Sequence, residues 1–169
     1  VRKPAEAEET TGRSSFSAEA LEHIARVLLR RYGVVCWRLL AREADWLPPW
    51  RDLLRVYHRL EARGEIRGGR FVAAVAGEQF ALPEALGLLR EVRKRPLTGE
   101  MLAVSAVDPF NQLGTLLPGA RVPALAANRI LFRDGLPVAV LAAGKPQWLV
   151  ELDEDAQREA RRLLTPARR

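Results

Sequence analysis

Two hydrophobic periods divide the chain. From Ala18 to about Arg95 apolar residues recur every three or four positions, the spacing of amphipathic helices; from Met101 onward they fall into short blocks that read as strands. Ser17 is placed to cap a helix over residues 18–32, which Gly33 ends and whose buried face is Leu21, Ile24, Ala25 and Leu28. Val34-Val35-Cys36-Trp37 reads as an extended or turn segment, followed by a second helix over residues 37–44. Pro48-Pro49 then opens a third helix over residues 50–63, closed by Gly64. Trp50, Leu53, Leu54, Tyr57 and Leu60 give it a buried face.

After Gly64, the segments 65–67 and 70–72 flank Gly68-Gly69, a pair that predicts a tight hairpin with Arg67 opposite Arg70 and Ile66 opposite Phe71. Three helices and a hairpin are the pattern of a winged helix. A fourth helix is predicted over residues 83–95, stopped by Pro96. The strand blocks are residues 102–107, 130–133, 136–141 and 148–152, the middle two joined at Asp134-Gly135. Pro137 argues that its strand lies on an edge. Asp153 can cap a last helix, residues 154–164, before the basic tail Pro166-Ala167-Arg168-Arg169. The expected fold is α+β: a linker at 1–16, a winged-helix domain with a trailing helix at 17–96, a small antiparallel barrel or open sheet at 97–152, and a C-terminal helix with its tail at 153–169.

Composition narrows the function. The chain has 169 residues, 48% hydrophobic and 28% charged, and no apolar run reaches the roughly 18 residues of a membrane span. Neither a secretory leader nor an initiator methionine opens it, so a cytoplasmic piece of a longer protein is the expectation. Cys36 is the only cysteine, and only His23 and His58 could join it as metal ligands. The net charge of +6 comes almost wholly from arginine; lysine occurs only at Lys3, Lys94 and Lys145.

Position gives those arginines a meaning. Arg51, Arg55, Arg59 and Arg63 recur every four residues along the third helix, a ridge of about 18 Å at 1.5 Å per residue, opposite its apolar face. Arg67 and Arg70 would add two cations on the wing, where like charges facing each other repel and Glu65 offsets only part. A basic helix beside a basic wing is a footprint for phosphate contact, which makes these six residues candidate nucleic-acid ligands. Of the four tryptophans, Trp37, Trp50 and Trp148 read as core or core-edge, and Trp46, in the loop before the arginine helix, as the one most open to a functional role.

Long ordered stretches also resemble a known family. Arg30-Arg31-Tyr32-Gly33-Val34-Val35, Pro48-Pro49-Trp50-Arg51, the run from Gly64 to Val72 and the run from Gly77 to Ala85 are similar to the C-terminal region of Lhr-type large helicase-related proteins. So are Asp108-Pro109-Phe110-Asn111, Pro118-Gly119, Arg121-Val122-Pro123-Ala124, Asn128-Arg129-Ile130-Leu131 and Asp134-Gly135. The resemblance implies a parent helicase acting on DNA or RNA–DNA hybrids in DNA repair, whose ATP and Mg belong to an upstream motor. It also implies contact with those upstream helicase domains, a fold similar to AlkZ-like DNA glycosylases, and assembly as a homo-oligomer.

This chain itself has no phosphate-binding loop of the form G-x-x-x-x-G-K-[ST], so it is expected to hold no cofactor and to hydrolyse no ATP alone. The acidic run from Glu151 to Asp155 superficially resembles a motor strand, but Asp153 serves better as a cap. Base excision is the rival activity. It needs a carboxylate, and Asp108 is the catalytic candidate, with Phe110 to stack on a flipped base; the plainer reading makes Asp108-Pro109 a turn. Gln79-Phe80-Ala81 resembles the glycosylase Gln-apolar-Asp motif but has Ala81 where the acid belongs.

Overall fold

The computed structural model describes residues 16–109 and 111–165. The expected linker, Phe110 and the basic tail after Thr165 lie outside these residues. The chain divides into two units: one is the chain up to Gly69 together with Glu78–Ala85, the other Arg70–Gly77 with the chain from Leu86 onward.

The first unit is a winged helix. The Ser17 hydroxyl accepts the N–H of Ala20 at 3.1 Å and starts α1 (Ala18–Tyr32), which ends as Gly33, at φ 69°, donates to the Leu29 carbonyl. β1 (Val34–Cys36) follows, then α2, which spans only Trp37–Leu40 rather than the eight expected residues. Beyond Leu40 the backbone turns through three-residue bonds, Arg42 to Leu39 and Glu43 to Leu40, which tighten the chain out of the α-helix. α3 (Trp50–Ala62) then packs Leu53, Val56, Tyr57 and Leu60 against Ala25, Leu28 and Leu29 of α1, with Ile66 and Phe80 closing the same core. Burial of these side chains, each worth about 1.5–3 kcal/mol for the larger ones, is what selects the three-helix arrangement.

The wing departs from expectation. β2 (Arg67–Gly69) pairs not with residues 70–72 but with β3 (Gln79–Ala81), and β3 lies between β1 and β2 in an antiparallel sheet. Arg67 therefore faces Ala81, and Gly68 faces Phe80; Arg67 is not opposite Arg70, nor Ile66 opposite Phe71. The glycine pair lies in the strand, and the connection between the strands is the longer loop Arg70–Glu78. Gln79, Phe80 and Ala81 are all buried in the central strand, which is the structural work of the segment that resembles a glycosylase motif.

α4 (Pro83–Lys94) leads out of this unit. In the second unit β4 (Met101–Ser105), β5 (Arg129–Arg133), β6 (Leu136–Ala142) and β7 (Lys145–Trp148) form an antiparallel sheet in chain order. The sheet is open: β4 and β7 are not joined, so the closed-barrel alternative is corrected. Both edges carry features that oppose further pairing. On β4 the Ala103 carbonyl is occupied by the Arg129 guanidinium at 3.2 Å and the Ser105 carbonyl by the Asp108 N–H at 3.0 Å; β7 carries Lys145 and Pro146. The β5–β6 turn is the expected one, with Asp134 and Gly135 at positive φ. β7 starts directly at the Ala143-Gly144 turn and ends at Trp148, where the last strand was expected to begin. Pro137 proves to be on an interior strand. It is tolerated because it sits at a register shift opposite Phe132 and beyond the last β6–β7 ladder pair, Ala139 with Trp148, where no N–H is needed.

One face of the sheet packs Leu131, Val138 and Ala139 on Ala160 and Leu164 of α5 (Glu154–Leu164). Asp153 caps α5 by accepting the Ala156 N–H at 2.8 Å. Ile130, Phe132 and Val140 form a second cluster with Ala106 and Leu113. Buried Asn128 holds its surroundings in place, donating to the Pro123 carbonyl at 3.0 Å and accepting from the Ala143 N–H at 3.2 Å.

Candidate nucleic-acid interface

α3 begins where Pro49, in extended conformation, hands the chain to Trp50. With its apolar stripe committed to the core, the opposite surface must carry the polar residues, and Arg51, Arg55 and Arg59 are all exposed there. Asp52 is only 5% exposed and lies 3.7 Å from both the Arg51 Nε and the Arg55 Nη1. At the first turn a carboxylate also meets the positive end of the helix dipole. Its two arginine neighbours keep about two-thirds of their side-chain surface in solvent (67% and 69%), so most of their five N–H donors each remain presented outward.

The ridge does not stay uniform along its length. Residues four apart advance by about 40° around a helix of 3.6 residues per turn, so the far end of the row rotates toward α1. Arg59 shares a shallow depression with Glu19, Glu22, His23 and Arg26 of that helix. Arg63, which caps α3, is drawn into a closed ring of ion pairs. Its Nη2 lies 2.8 Å from Glu22 Oε1 and its Nε 2.7 Å from Glu65 Oε1, while Arg26 reaches the same two acids at 2.8 and 2.6 Å. The Arg26 guanidinium, then that of Arg63, holds the Glu22 carboxyl below its ordinary value; Glu22, then Glu65, raises Arg26. Glu65 thus serves Arg26 and Arg63 rather than the wing repulsion expected of it.

Arg67 is exposed on β2. Arg70 belongs to the other unit, where its guanidinium approaches the Ala73 carbonyl at 3.5 Å. The structure therefore brings together Arg51 and Arg55 around Asp52, turns Arg59 toward α1, and gives Arg63 to a structural ring. Glu61 is the residue the sequence pattern underrated. Its carboxylate accepts the Gly68 N–H at 3.0 Å and lies 3.8 Å from His58 Nδ1, while His58 Nε2 reaches Glu78 at 2.9 Å. Glu61 thus fastens β2 to α3, and His58 holds Glu78, the residue before β3.

Asp108 follows β4 in a turn. Its N–H donates to Ser105, and its carbonyl accepts the Asn111 N–H at 2.9 Å. Asn111, buried, donates to the Ala106 carbonyl and accepts the Leu113 N–H. Asp108 and Asn111 thus tie their loop to the backbone of residues 105, 106 and 113; Phe110 lies outside the described residues.

Comparison with known proteins adds two findings. A family model for the winged-helix domain of large helicase-related protein matches residues 14–101. The chain is also similar to the Lhr helicase/uracil glycosylase of Escherichia coli (strain K12), 30% identical over 132 residues, which is 75% of this chain. The match spans only 8% of the length of that relative.

Proposed function

The chain belongs to the winged-helix family of the Lhr large helicase-related proteins, and from that premise we propose that it is a nucleic-acid-binding accessory module of a longer helicase. The observation that carries this reading is the exposed face of α3, where Arg51, Arg55 and Arg59 stand opposite the core. Guanidinium groups bind phosphate oxygens bidentately, and an exposed row of them on a rigid helix gains affinity by releasing counterions from the backbone. Arg67 on β2 adds a fourth exposed cation. Arg63, already paired with two carboxylates, is left out of the proposed contact set.

In the longer polypeptide the ATP-driven motor would lie elsewhere, acting on DNA or RNA–DNA hybrids in repair, and this module would hold the strand for it. Binding of labelled duplex and single strands, measured from low to moderate salt, tests the reading. Four phosphate-contacting arginines give a slope of log K against log salt of about −3.6 on duplex and about −2.8 on single strands. A flat dependence sinks it.

The name of the E. coli relative supports a second reading, base excision. Under it Asp108 would stabilise positive charge on the sugar of a flipped nucleotide. Incubation with uracil-containing duplex followed by alkali decides: cleavage lost in Asp108→Asn supports the reading, and no cleavage removes it. Sedimentation of the same samples tests the proposed homo-oligomer.

A further inference from the structure

In the second unit an open groove of about 570 Å³ lies where the chain leaves β7 and turns into α5. Trp148, Leu149, Val150 and Leu152 form its apolar wall, and Glu151 and Gln157 supply its polar groups. Three contacts fix the wall. Leu149 donates its N–H to the Val138 carbonyl at 2.9 Å, the Gln157 amide donates to the Leu152 carbonyl at 2.8 Å, and the Arg161 guanidinium lies 5.7 Å over the Trp148 ring. Yet Leu149 and Val150 stay 41% and 42% exposed. Consecutive apolar residues left in water mark a surface that something covers. Within the acidic run from Glu151 to Asp155, Asp153 caps α5 and Asp155 pairs with Arg158, whereas Glu151 has no cationic partner among the described residues.

The chemistry of the wall selects the occupant. Nucleic acid fits poorly, because the Glu151 carboxylate would face its phosphates. A proline-rich peptide docks on aromatic faces, and the one tryptophan here already carries the Arg161 guanidinium over its ring. A lysine or arginine side chain uses both features of the groove: its alkyl stem lies along Leu149 and Val150 while its cation takes the carboxylate in a charge-assisted bond. The backbone serves the same occupant. Among the described residues the N–H groups of Val150 and Glu151 have no acceptor, so the carbonyls of an extended segment can take them. Ligand sites commonly hold about 300–1,000 Å³, and this volume suits a few side chains rather than a whole helix.

We propose that this groove docks a basic, apolar peptide segment of a protein partner, with a lysine or arginine of the segment on Glu151 and its apolar neighbours against Leu149 and Val150. The inference is independent of the nucleic-acid reading, which rests on α3 in the other unit.

The test follows fluorescence anisotropy of a labelled peptide, Leu-Lys-Val-Arg-Leu, on the whole chain, beside the same peptide with glutamine in place of both basic residues. The basic peptide is expected to bind roughly tenfold more tightly than the neutral one. Glu151→Lys is expected to remove that difference, and Val150→Ser to weaken both peptides severalfold. Both side chains are exposed, so circular dichroism should show the fold retained. Arg55→Ala, in the other unit, should leave peptide binding unchanged. Equal binding of the two peptides by the unaltered chain overturns the proposal, as does a preference that survives Glu151→Lys. Failure of the chain to bind the basic peptide also overturns it. Duplex binding that falls in Val150→Ser while peptide binding holds assigns the groove to nucleic acid instead. Self-association lost in Val150→Ser, with no peptide bound, assigns it to a second copy of the chain; either result overturns the peptide site.

Discussion

The Glu61 carboxylate accepts the backbone N–H of Gly68 at 3.0 Å, and a Cβ added to Gly68 would stand 2.4 Å from the same oxygen. The glycine makes room for this bond, and a larger residue would push the Glu61 carboxylate aside. It lets the end of α3 hold the first wing strand and so fixes where Arg67 is presented.

Gly68→Ala should destabilise the winged helix by about 1 kcal/mol, because it expels the acceptor of a charge-assisted bond. In a Glu61→Ala background the same change should become neutral or stabilise by about 0.5–1 kcal/mol, since only the entropy of the unfolded chain is then affected. A double-mutant cycle by urea denaturation measures this; additive effects would show that the two residues do not interact.

Arg63 and Arg55 should separate stability from binding. Arg63→Ala breaks the pairs to Glu22 and Glu65, lowering Tm while leaving the salt slope of nucleic-acid binding unchanged. Arg55→Ala should lower the duplex slope by about 0.9 and barely move Tm. A slope reduced equally by both changes would restore Arg63 to the contact surface.

The same ring sets an acid limit. A carboxyl held below its ordinary value in the folded state contributes stability above that value and loses it as the pH falls. For Glu22 the ordinary value is 4.5 and its depression comes from Arg26 first and Arg63 second. The stability difference between the unaltered chain and Glu22→Gln should therefore shrink as the pH is lowered from about 6 to 3. Glu22 raises both Arg26 and Arg63 above the ordinary arginine range, so their share persists through neutral pH. A difference that stays constant across the acid range would contradict the ring's role.

Tyr57 offers a test of the core. Its hydroxyl is buried without a hydrogen-bond partner among the described residues, the ring stacked near Phe80 and beside Trp50, and burial pushes its pKa strongly up. An unsatisfied buried hydroxyl costs about 1–3 kcal/mol, so Tyr57→Phe should leave stability unchanged or raise it. A loss above about 1 kcal/mol in thermal denaturation would mean that the hydroxyl is bonded in solution.

What was legible in the sequence was what is local. The helices α1, α3, α4 and α5, the caps Ser17, Gly33 and Asp153, and the Asp134-Gly135 turn all follow from neighbours within a few residues. The wing was misread because a glycine pair signals either a turn or a close approach, and only the position of Glu61 tells which. β3 was missed since three wholly buried residues show no alternation. The loss of Arg63 from the ridge depends on α1 bringing Glu22 alongside, which no pattern within α3 records. Whether the sheet closes depends on its edges, and the guanidinium of Arg129 on the Ala103 carbonyl links residues 26 apart in the chain.

The most direct measurement is the salt dependence of duplex binding by the unaltered chain beside Arg51→Ala/Arg55→Ala/Arg59→Ala. The exposed face of α3 predicts a slope of about −3.6 that falls to about −0.9 in the triple variant, with the fold retained by circular dichroism. The same slope in both proteins would contradict the account and place the nucleic-acid contact, if any, on another surface.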